Sequence, residues 1–271
     1  MYKLLLVSDR EDVLTAFDQV ESWERQGFKP PHIRHDFDGT VDSLSKHHAD
    51  GICLAVVPDE EEKILAYLQE NFPNIPLFEA GTTPEEVLRY LNELNILLNR
   101  IHADFSNDKF REIDMLQECR HEFFRKLMRG KIATREDLYR NMRLLRSRMD
   151  PDQPCLLIEL DQAPSPDKLE GRWHYGEDRL ELALRNSFGG DLNGIHILPT
   201  VHSNGQILVL ACPLHGVECK VTSDAMTAMM TDHIARGVDH LKDFFGLELH
   251  MKGIRILPAL HALCADAQEQ K

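Results

Sequence analysis

The sequence has no long apolar run, no closely spaced pair of cysteines and no excess of basic residues. No stretch approaches the ~18 apolar residues of a membrane helix, and a strand-like segment follows Met1 directly, so we expect neither a membrane span nor a signal peptide. The six cysteines are scattered without a C-x-x-C pair. This distribution is typical of reduced thiols in a cytoplasmic protein. The net charge of −14 argues against nucleic-acid binding, which needs a concentrated basic face.

What the sequence does contain is enough apolar residues, 42% of 271, for packed cores in about two domains. A capping sequence at Thr83-Pro84-Glu85-Glu86 predicts the start of a long helix. The breaker cluster Asp150-Pro151-Asp152-Gln153-Pro154 predicts the start of a new domain. We therefore predict a first domain at 1–82, a helical linker at 83–150 and a second domain at 151–271. The arginines and lysines within 120–148 are expected on a solvated helix face.

An apolar stripe follows the capping sequence, with spacings of four and three residues: Val87, Leu91, Leu94, Leu98, Ile101 and Phe105. Such spacing is typical of the a/d seam of a short coiled coil. One interpretation is a helix that joins two domains and pairs two subunits into a homodimer. The other is an amphipathic helix packed on its own domain. Because the flanking segments look like separate domains, we favour the first interpretation.

The first domain alternates apolar runs with helical patterns. Strands are predicted at 3–8, 32–35, 51–57 and 75–79, and helices at 12–26, 41–48 and 60–71. Strands that alternate with helices at this pitch predict an α/β fold, with a parallel sheet of about four strands and helices on both faces.

Residues 2–98 resemble a response-regulator receiver domain, which implies a flavodoxin-like fold. The likeness is closest to receivers that precede AraC-type output domains, and it rests on the βα alternation and on Trp23, Gly27-Phe28, Asp38-Gly39 and Asp50. It implies a phosphoryl-accepting aspartate five residues after Asp50, but Ala55 stands there. It also implies an acidic pair after the first strand, of which only Asp9 is present. We therefore expect no phospho-acceptor and only a residual acidic pocket at Asp9.

The second domain is predicted to have the order β-α-β-β-α-β, a ferredoxin-like α+β layout. Strands are expected at 155–160, 194–201, 206–211 and 249–257, with helices at 175–188 and 223–245 and an Asn204-Gly205 hairpin turn. The path from Phe123 to Gly130, and then a strand ending at Asp161, resemble degenerate GGDEF-like domains of bacterial regulators. The turn at 202–206 lacks the acidic residues of active diguanylate cyclases.

These resemblances imply a cytoplasmic, non-enzymatic protein of signal transduction and transcription regulation, a two-component response regulator of the AraC type. We expect no catalytic residue, metal or cofactor. DNA would be reached only through a C-terminal module that is missing from this chain, which ends at Lys271, and the partner kinase stays open. The alternative is a nucleotide- or small-ligand-binding sensor that uses the GGDEF-like domain through Asp161, Trp173 and Tyr175.

Overall fold

The structure is a computed structural model that describes residues 1–103, 110–162, 177–202, 206–217 and 224–266. The chain forms two compact units: unit 1 comprises Met1–Arg120 and Tyr139–Ser147, and unit 2 comprises His121–Leu138 and Arg148–Lys271. The residues that the sequence predicts as a linker are thus divided between the units. The mixed α/β class is confirmed, since unit 1 contains a four-stranded parallel sheet and unit 2 a separate five-stranded antiparallel sheet.

Unit 1 has the predicted alternation of strands and helices. Its elements are β1 (Leu4–Ser8), α1 (Glu11–Asp18), β2 (His32–Arg34), α2 (Phe37–Lys46), β3 (Gly51–Ala55), α3 (Pro58–Asn71), β4 (Leu77–Phe78) and α4 (Pro84–Ala103). The strands lie in the order β2-β1-β3-β4. The single helix predicted at 12–26 is wrong, because α1 ends at Asp18 and a 3₁₀ turn follows at Trp23–Gln26. Ser22 between them has a φ of 58°, which a right-handed helix cannot accommodate.

Both faces of the parallel sheet are covered, which explains the unbroken apolar runs of β1 and β3. Alternate residues point to opposite faces, and Leu5 and Val7 pack in one core with Ile64 and Leu68 of α3. Helix α4 covers the other face. A Cβ atom on Gly51 would lie 2.8 Å from Cδ2 of Leu94, so glycine permits this close approach.

The stripe of α4 that was predicted as a subunit seam is buried within unit 1. Each of the five described side chains is at most 6% exposed in the single chain: Val87, Leu91, Leu94, Leu98 and Ile101. The same helix is tied to the start of the unit, where Tyr2 donates its hydroxyl proton to Oδ1 of Asn99 at 2.9 Å. The stripe is therefore core surface of its own unit and gives no support to a coiled coil between subunits. A homodimer stays a prediction, and Phe105 lies outside the described residues.

Unit 1 also contains a segment from much later in the chain. Helix α5 (Phe110–Met128) is followed by α6 (Arg135–Leu144), and residues 139–147, which we call the return segment, belong to unit 1. Arg143 donates to the carbonyl oxygen of Leu54 at 3.3 Å and to Oε1 of Glu61 at 2.6 Å. Arg146 donates to the carbonyl oxygen of Ile75 at 3.2 Å.

The return segment bonds to the carbonyl of Leu54 on β3 and to that of Ile75, two residues before β4; we call this region the β4 edge. Ile52 on β3 donates its N–H to the carbonyl of Pro76, so the adjacent Ile75 carbonyl points away from β3. Arg146 is only 7% exposed, and the expectation of a solvated basic face is therefore wrong at this position. Covering a sheet edge with a helix removes unpaired backbone groups from solvent.

Unit 2 has the predicted β-α-β-β-α-β order with one additional short strand. Its elements are β5 (Cys155–Gln162), α7 (Glu177–Phe188), β6 (Asp191–Leu192), β7 (Ile195–Val201), β8 (Ile207–Pro213), α8 (Asp224–Phe245) and β9 (Leu249–Leu257). The sheet order is β6-β7-β8-β5-β9. Helices α7 and α8 pack on one face around Leu184, Phe188 and Ile234. The predicted turn at Asn204-Gly205 lies outside the described residues, and within the described ranges no helix is long and apolar enough to cross a membrane.

Candidate functional site

The carboxyl edge of the parallel sheet in unit 1 is where a receiver would carry its chemistry. Ala55 ends β3 and is 8% exposed. Ser8, which ends β1, is fully buried and donates its hydroxyl proton to the carbonyl of Ala55 at 2.9 Å. Nδ1 of His35 lies 2.7 Å from the carbonyl oxygen of Ser8, and a carbonyl only accepts, so Nδ1 carries the proton. The polar groups at this edge thus bond to one another.

The carboxylates near this edge are held by cations and backbone groups of unit 1. Oε1 of Glu60 accepts from Lys63 at 2.8 Å, and its Oε2 accepts from the N–H of Phe37 at 3.1 Å. The hydrogen bond from Lys63 is the largest cause that lowers the pKa of Glu60. Asp9 follows β1 as an exposed residue. Among the described residues, no group of three or more His, Cys, Asp or Glu could hold a metal ion.

The residue beside Ala55 is bonded to a guanidinium group. Arg143 donates to the carbonyl of Leu54 and forms an ion pair with Glu61 at 2.6 Å. β4 ends at Phe78, so the strand supplies no donor at the level of Leu54, and Arg143 takes that place. This part of the edge is therefore occupied by an ion pair of the protein's own side chains.

Unit 2 contains a buried carboxylate, Glu181 on α7, that is 1% exposed. Its Oε2 accepts from Nη2 of Arg125 at 3.0 Å and from the N–H of Val201 at 3.4 Å. Its Oε1 is buried and has no hydrogen-bond partner among the described residues. Burial raises the pKa of Glu181, and the charge of Arg125 opposes this rise. The protonated form is thus favoured relative to a glutamate in water, and Oε1 could accept a further hydrogen bond.

Helix α5 fixes the surroundings of this carboxylate. Arg125 and Arg129 lie one turn apart, and Nη2 of Arg129 donates to the carbonyl of Val201 at 3.3 Å. Arg125 therefore attaches α5 to α7, and Arg129 attaches it to the end of β7. The sequence does carry a signal for Glu181, because it lies three residues before Leu184 and seven before Phe188 on the buried stripe of α7.

The predicted ligand-binding residues are only partly described. Asp161 lies on β5 with a side chain 49% exposed, and its Oδ2 is 3.7 Å from Nζ of Lys252. The same lysine pairs with Glu159 at 2.9 Å. Trp173 and Tyr175 lie outside the described residues. Asp161 is thus a surface carboxylate that shares one ammonium group with Glu159.

A cluster of polar side chains links the edge strand β6 of the antiparallel sheet to β7. Asp191 on β6 accepts from Arg148 at 2.5 Å and lies 2.5 Å from Nδ1 of His196 on β7. Burial acts to raise the pKa of Asp191, but His196 and Arg148 together lower it. Cys212 lies opposite His196 on β8. Its thiol is buried with a pKa well above the usual value, raised first by a hydrogen bond with Cys155, so it is no activated nucleophile for this imidazole–carboxylate pair.

No model of a known protein family and no curated protein matches this chain. The receiver-like and GGDEF-like resemblances therefore stay predictions from the residues that carry them.

Proposed function

We propose that the protein is a non-enzymatic signal-transduction protein of the response-regulator type. A receiver-like unit without a phospho-acceptor would be coupled through helices to a GGDEF-like unit without catalytic acids. The strand order β2-β1-β3-β4 supports a flavodoxin-like assignment for unit 1, because it is the flavodoxin order 2-1-3-4-5 without the last strand. The order β7-β8-β5-β9 in unit 2 supports a ferredoxin-like, GGDEF-like core.

The observation that carries this proposal is the chemistry around Ala55. A methyl group cannot accept a phosphoryl group, and the carbonyls of Ala55 and Leu54 are already bonded to Ser8 and Arg143. A receiver-like unit with alanine at this position would therefore respond to a signal other than phosphorylation of residue 55. The proposed output is transcriptional and would reach DNA through a further module or a partner.

The route of coupling follows from the chain path. The first turn of α6 belongs to unit 2, and the rest of this helix continues into the return segment of unit 1. A change at the β4 edge that displaces the return segment would therefore act directly on α6, whose first turn belongs to unit 2. This route needs no phosphoryl group.

The proposal is tested with small-molecule phosphodonors. Wild-type chain is incubated with acetyl phosphate and Mg²⁺, and its intact mass is measured beside that of a receiver with an intact acceptor site. We expect no phosphoryl adduct on the wild-type chain while the positive control is modified. A stoichiometric adduct that maps to Asp9 or to another acid of unit 1 would refute the proposal.

Coupling is tested separately by hydrogen exchange. Arg143→Met removes the donor to Leu54, and we expect faster exchange in the return segment and also in the residues of α6 that belong to unit 2. The exposed Arg10→Met substitution serves as the control. Faster exchange confined to unit 1 would contradict the proposed coupling through α6.

A nucleotide- or small-ligand-binding sensor is a second candidate function, favoured by one observation. Oε1 of Glu181 is buried, no residue in the described ranges bonds to it, and a ligand with an N–H donor would satisfy it. A thermal-shift screen with GTP, ATP and cyclic dinucleotides tests this candidate. A shift that Glu181→Gln abolishes would support it, and no shift with any of these nucleotides would count against it.

A further inference from the structure

Two cysteines of unit 2 face each other across neighbouring strands. Cys155 is the first residue of β5, and Cys212 lies near the end of β8. The register pairs Leu156 with Ala211. Cys155, one residue earlier on β5, therefore lies directly opposite Cys212, one residue later on β8. Both cysteine side chains are 0% exposed and lie on the same face of the sheet.

The pair belongs to the closer of the two kinds of antiparallel pair. At the two ends of β8, the backbone hydrogen bonds to β7 involve Gln206 and Leu214. Every second residue of a strand turns its N–H and C=O groups to the same neighbour. Cys212 therefore bonds towards β7 and forms a non-hydrogen-bonded pair with Cys155. Such pairs have Cα atoms about 4.5 Å apart, within the ~4.4–6.8 Å that a disulfide spans.

We propose that Cys155 and Cys212 form a reversible disulfide bond when a low-molecular-weight disulfide, such as oxidised glutathione, is present. One protein thiolate attacks the small disulfide, whose S–S bond breaks and releases one small thiol. The second protein thiolate then attacks the protein sulfur of the mixed disulfide and releases the second small thiol. The protein pair loses two electrons and two protons, which the two small thiols receive.

The surroundings of the pair control how fast it reacts. The thiol of Cys212 donates to the carbonyl of Asp150 at 3.4 Å, in the proline-containing segment that leads into β5. The hydrogen bond with Cys155 and, after it, burial raise the pKa of Cys212 well above its usual value. The closed sheet thus keeps this thiol protonated and unreactive. Exchange then requires opening at the start of β5, and the disulfide forms slowly in the folded protein.

The other described cysteines lie on different elements. Cys53 is on β3 of unit 1, Cys119 is on α5, and Cys264 donates its thiol proton to the carbonyl of Thr134 at 3.5 Å. Burial raises the pKa of Cys264 to about 11. In the described parts of the two sheets, the strand registers place no other cysteines opposite each other.

The test is oxidation of the full chain followed by mass analysis. Folded wild-type protein is incubated with oxidised glutathione, free thiols are alkylated, and intact and peptide masses are measured under non-reducing conditions. We expect a species that has lost two hydrogen atoms and one linked pair of peptides containing Cys155 and Cys212. A reducing agent should reverse both changes. The melting temperature of the oxidised form should rise by at least about 5 °C, because the bond closes a long loop.

Single variants supply the controls. Cys155→Ala and Cys212→Ala should each prevent the loss of two hydrogen atoms, whereas Cys53→Ala should behave like the wild type. The peptide map of the wild-type chain decides the matter alone if either variant of the pair fails to fold. The proposal is overturned if the folded wild-type chain keeps both thiols under conditions that oxidise its unfolded form. Linkage of either cysteine to a different cysteine would overturn it as well.

Discussion

Truncation of Leu94 distinguishes a core residue from a subunit seam. The side chain is 0% exposed in the single chain and lies against Gly51 of β3. Leu→Ala substitutions in such surroundings cost about 3–5 kcal/mol, because transfer free energy is lost and a cavity remains. We therefore expect Leu94→Ala to lower the free energy of unfolding of unit 1 by about 3 kcal/mol. Ile96 on the same helix is 62% exposed, and Ile96→Ala should change it by less than about 0.5 kcal/mol.

The assay is urea denaturation followed by the fluorescence of Trp23, which lies in unit 1. Trp173→Phe in every sample removes the other of the two tryptophans. With an m value of about 2 kcal/mol per M, the expected loss lowers the urea midpoint of unit 1 by about 1.5 M. The midpoint should not change when the protein concentration is raised tenfold, because the stripe is covered by its own unit.

Either of two results would refute this reasoning. A midpoint that rises with protein concentration in the wild type, and loses that dependence in Leu94→Ala, would show that Leu94 is buried between subunits. Equal costs for Leu94→Ala and Ile96→Ala would show that α4 does not pack on the parallel sheet as described.

Three further predictions concern unit 2 and the return segment. Gly237→Ala should destabilise unit 2 by about 1–3 kcal/mol, because its Cβ would clash with Cδ1 of the buried Phe188. Gly190→Ala, whose Cβ would meet no described atom within 4 Å, should be near neutral. Urea titrations of unit 2 retain Trp173 and carry Trp23→Phe instead, so that the fluorescence reports unit 2. Burial raises the folded-state pKa of Glu181, so its stability contribution is full below the unfolded pKa and is lost as the pH rises through the folded pKa. The urea midpoint of Glu181→Gln should therefore vary less with pH than that of the wild type. If the wild type instead became more stable relative to the variant as the pH rises, this reasoning would be contradicted. Arg143→Met should cost unit 1 about 1–3 kcal/mol, since its carboxylate partner on α3 and a carbonyl of β3 lose a charged donor; an unchanged urea midpoint would show that this contact does not hold the return segment.

The strands were predictable where local patterns alone decide them. The unbroken apolar runs at 3–8 and 51–57 indicated strands buried on both faces, and the helices on both sides of the parallel sheet explain why no alternation appears. The strand at Leu249–Leu257 has the predicted bounds. The break in the first predicted helix was not predictable, because the left-handed conformation at Ser22 occurs at a residue that has no special preference for it.

The apolar stripe of α4 shows a limit of periodicity. Spacings of three and four residues identify which face of a helix is buried, but a sheet and a second helix both accept such a face. Leu94 lies against β3 because Gly51 leaves room for it, and that requires knowledge of which strand is adjacent. The pattern therefore predicted which face of α4 is buried but not which element covers that face.

The candidate sites differ in the same way. The alanine at position 55 was identifiable by counting from Asp50, since both lie in or next to one strand. The guanidinium of Arg143 beside it was not, because Arg143 is 89 residues from Leu54 and 82 from Glu61 in the sequence. Only the return of the chain to unit 1 brings these groups together. Glu181 was identifiable as an acid on an apolar stripe, but its pairing with Arg125 depends on the packing of α5.

At Arg146 of the return segment, the free-energy contributions that stabilise and destabilise its contact at the β4 edge are of similar size. Burial and the charge of Arg120 lower the pKa of Arg146 to about 10, which corresponds to about 3 kcal/mol against the charged form. Its φ of 55° adds roughly 1–2 kcal/mol of backbone strain. The two hydrogen bonds to the carbonyls of Phe72 and Ile75, at 3.4 and 3.2 Å, offset this by about 1.5–3 kcal/mol each. A contact so close to balance can be released by a small differential binding energy, and this is what a signal that acts at the β4 edge would need.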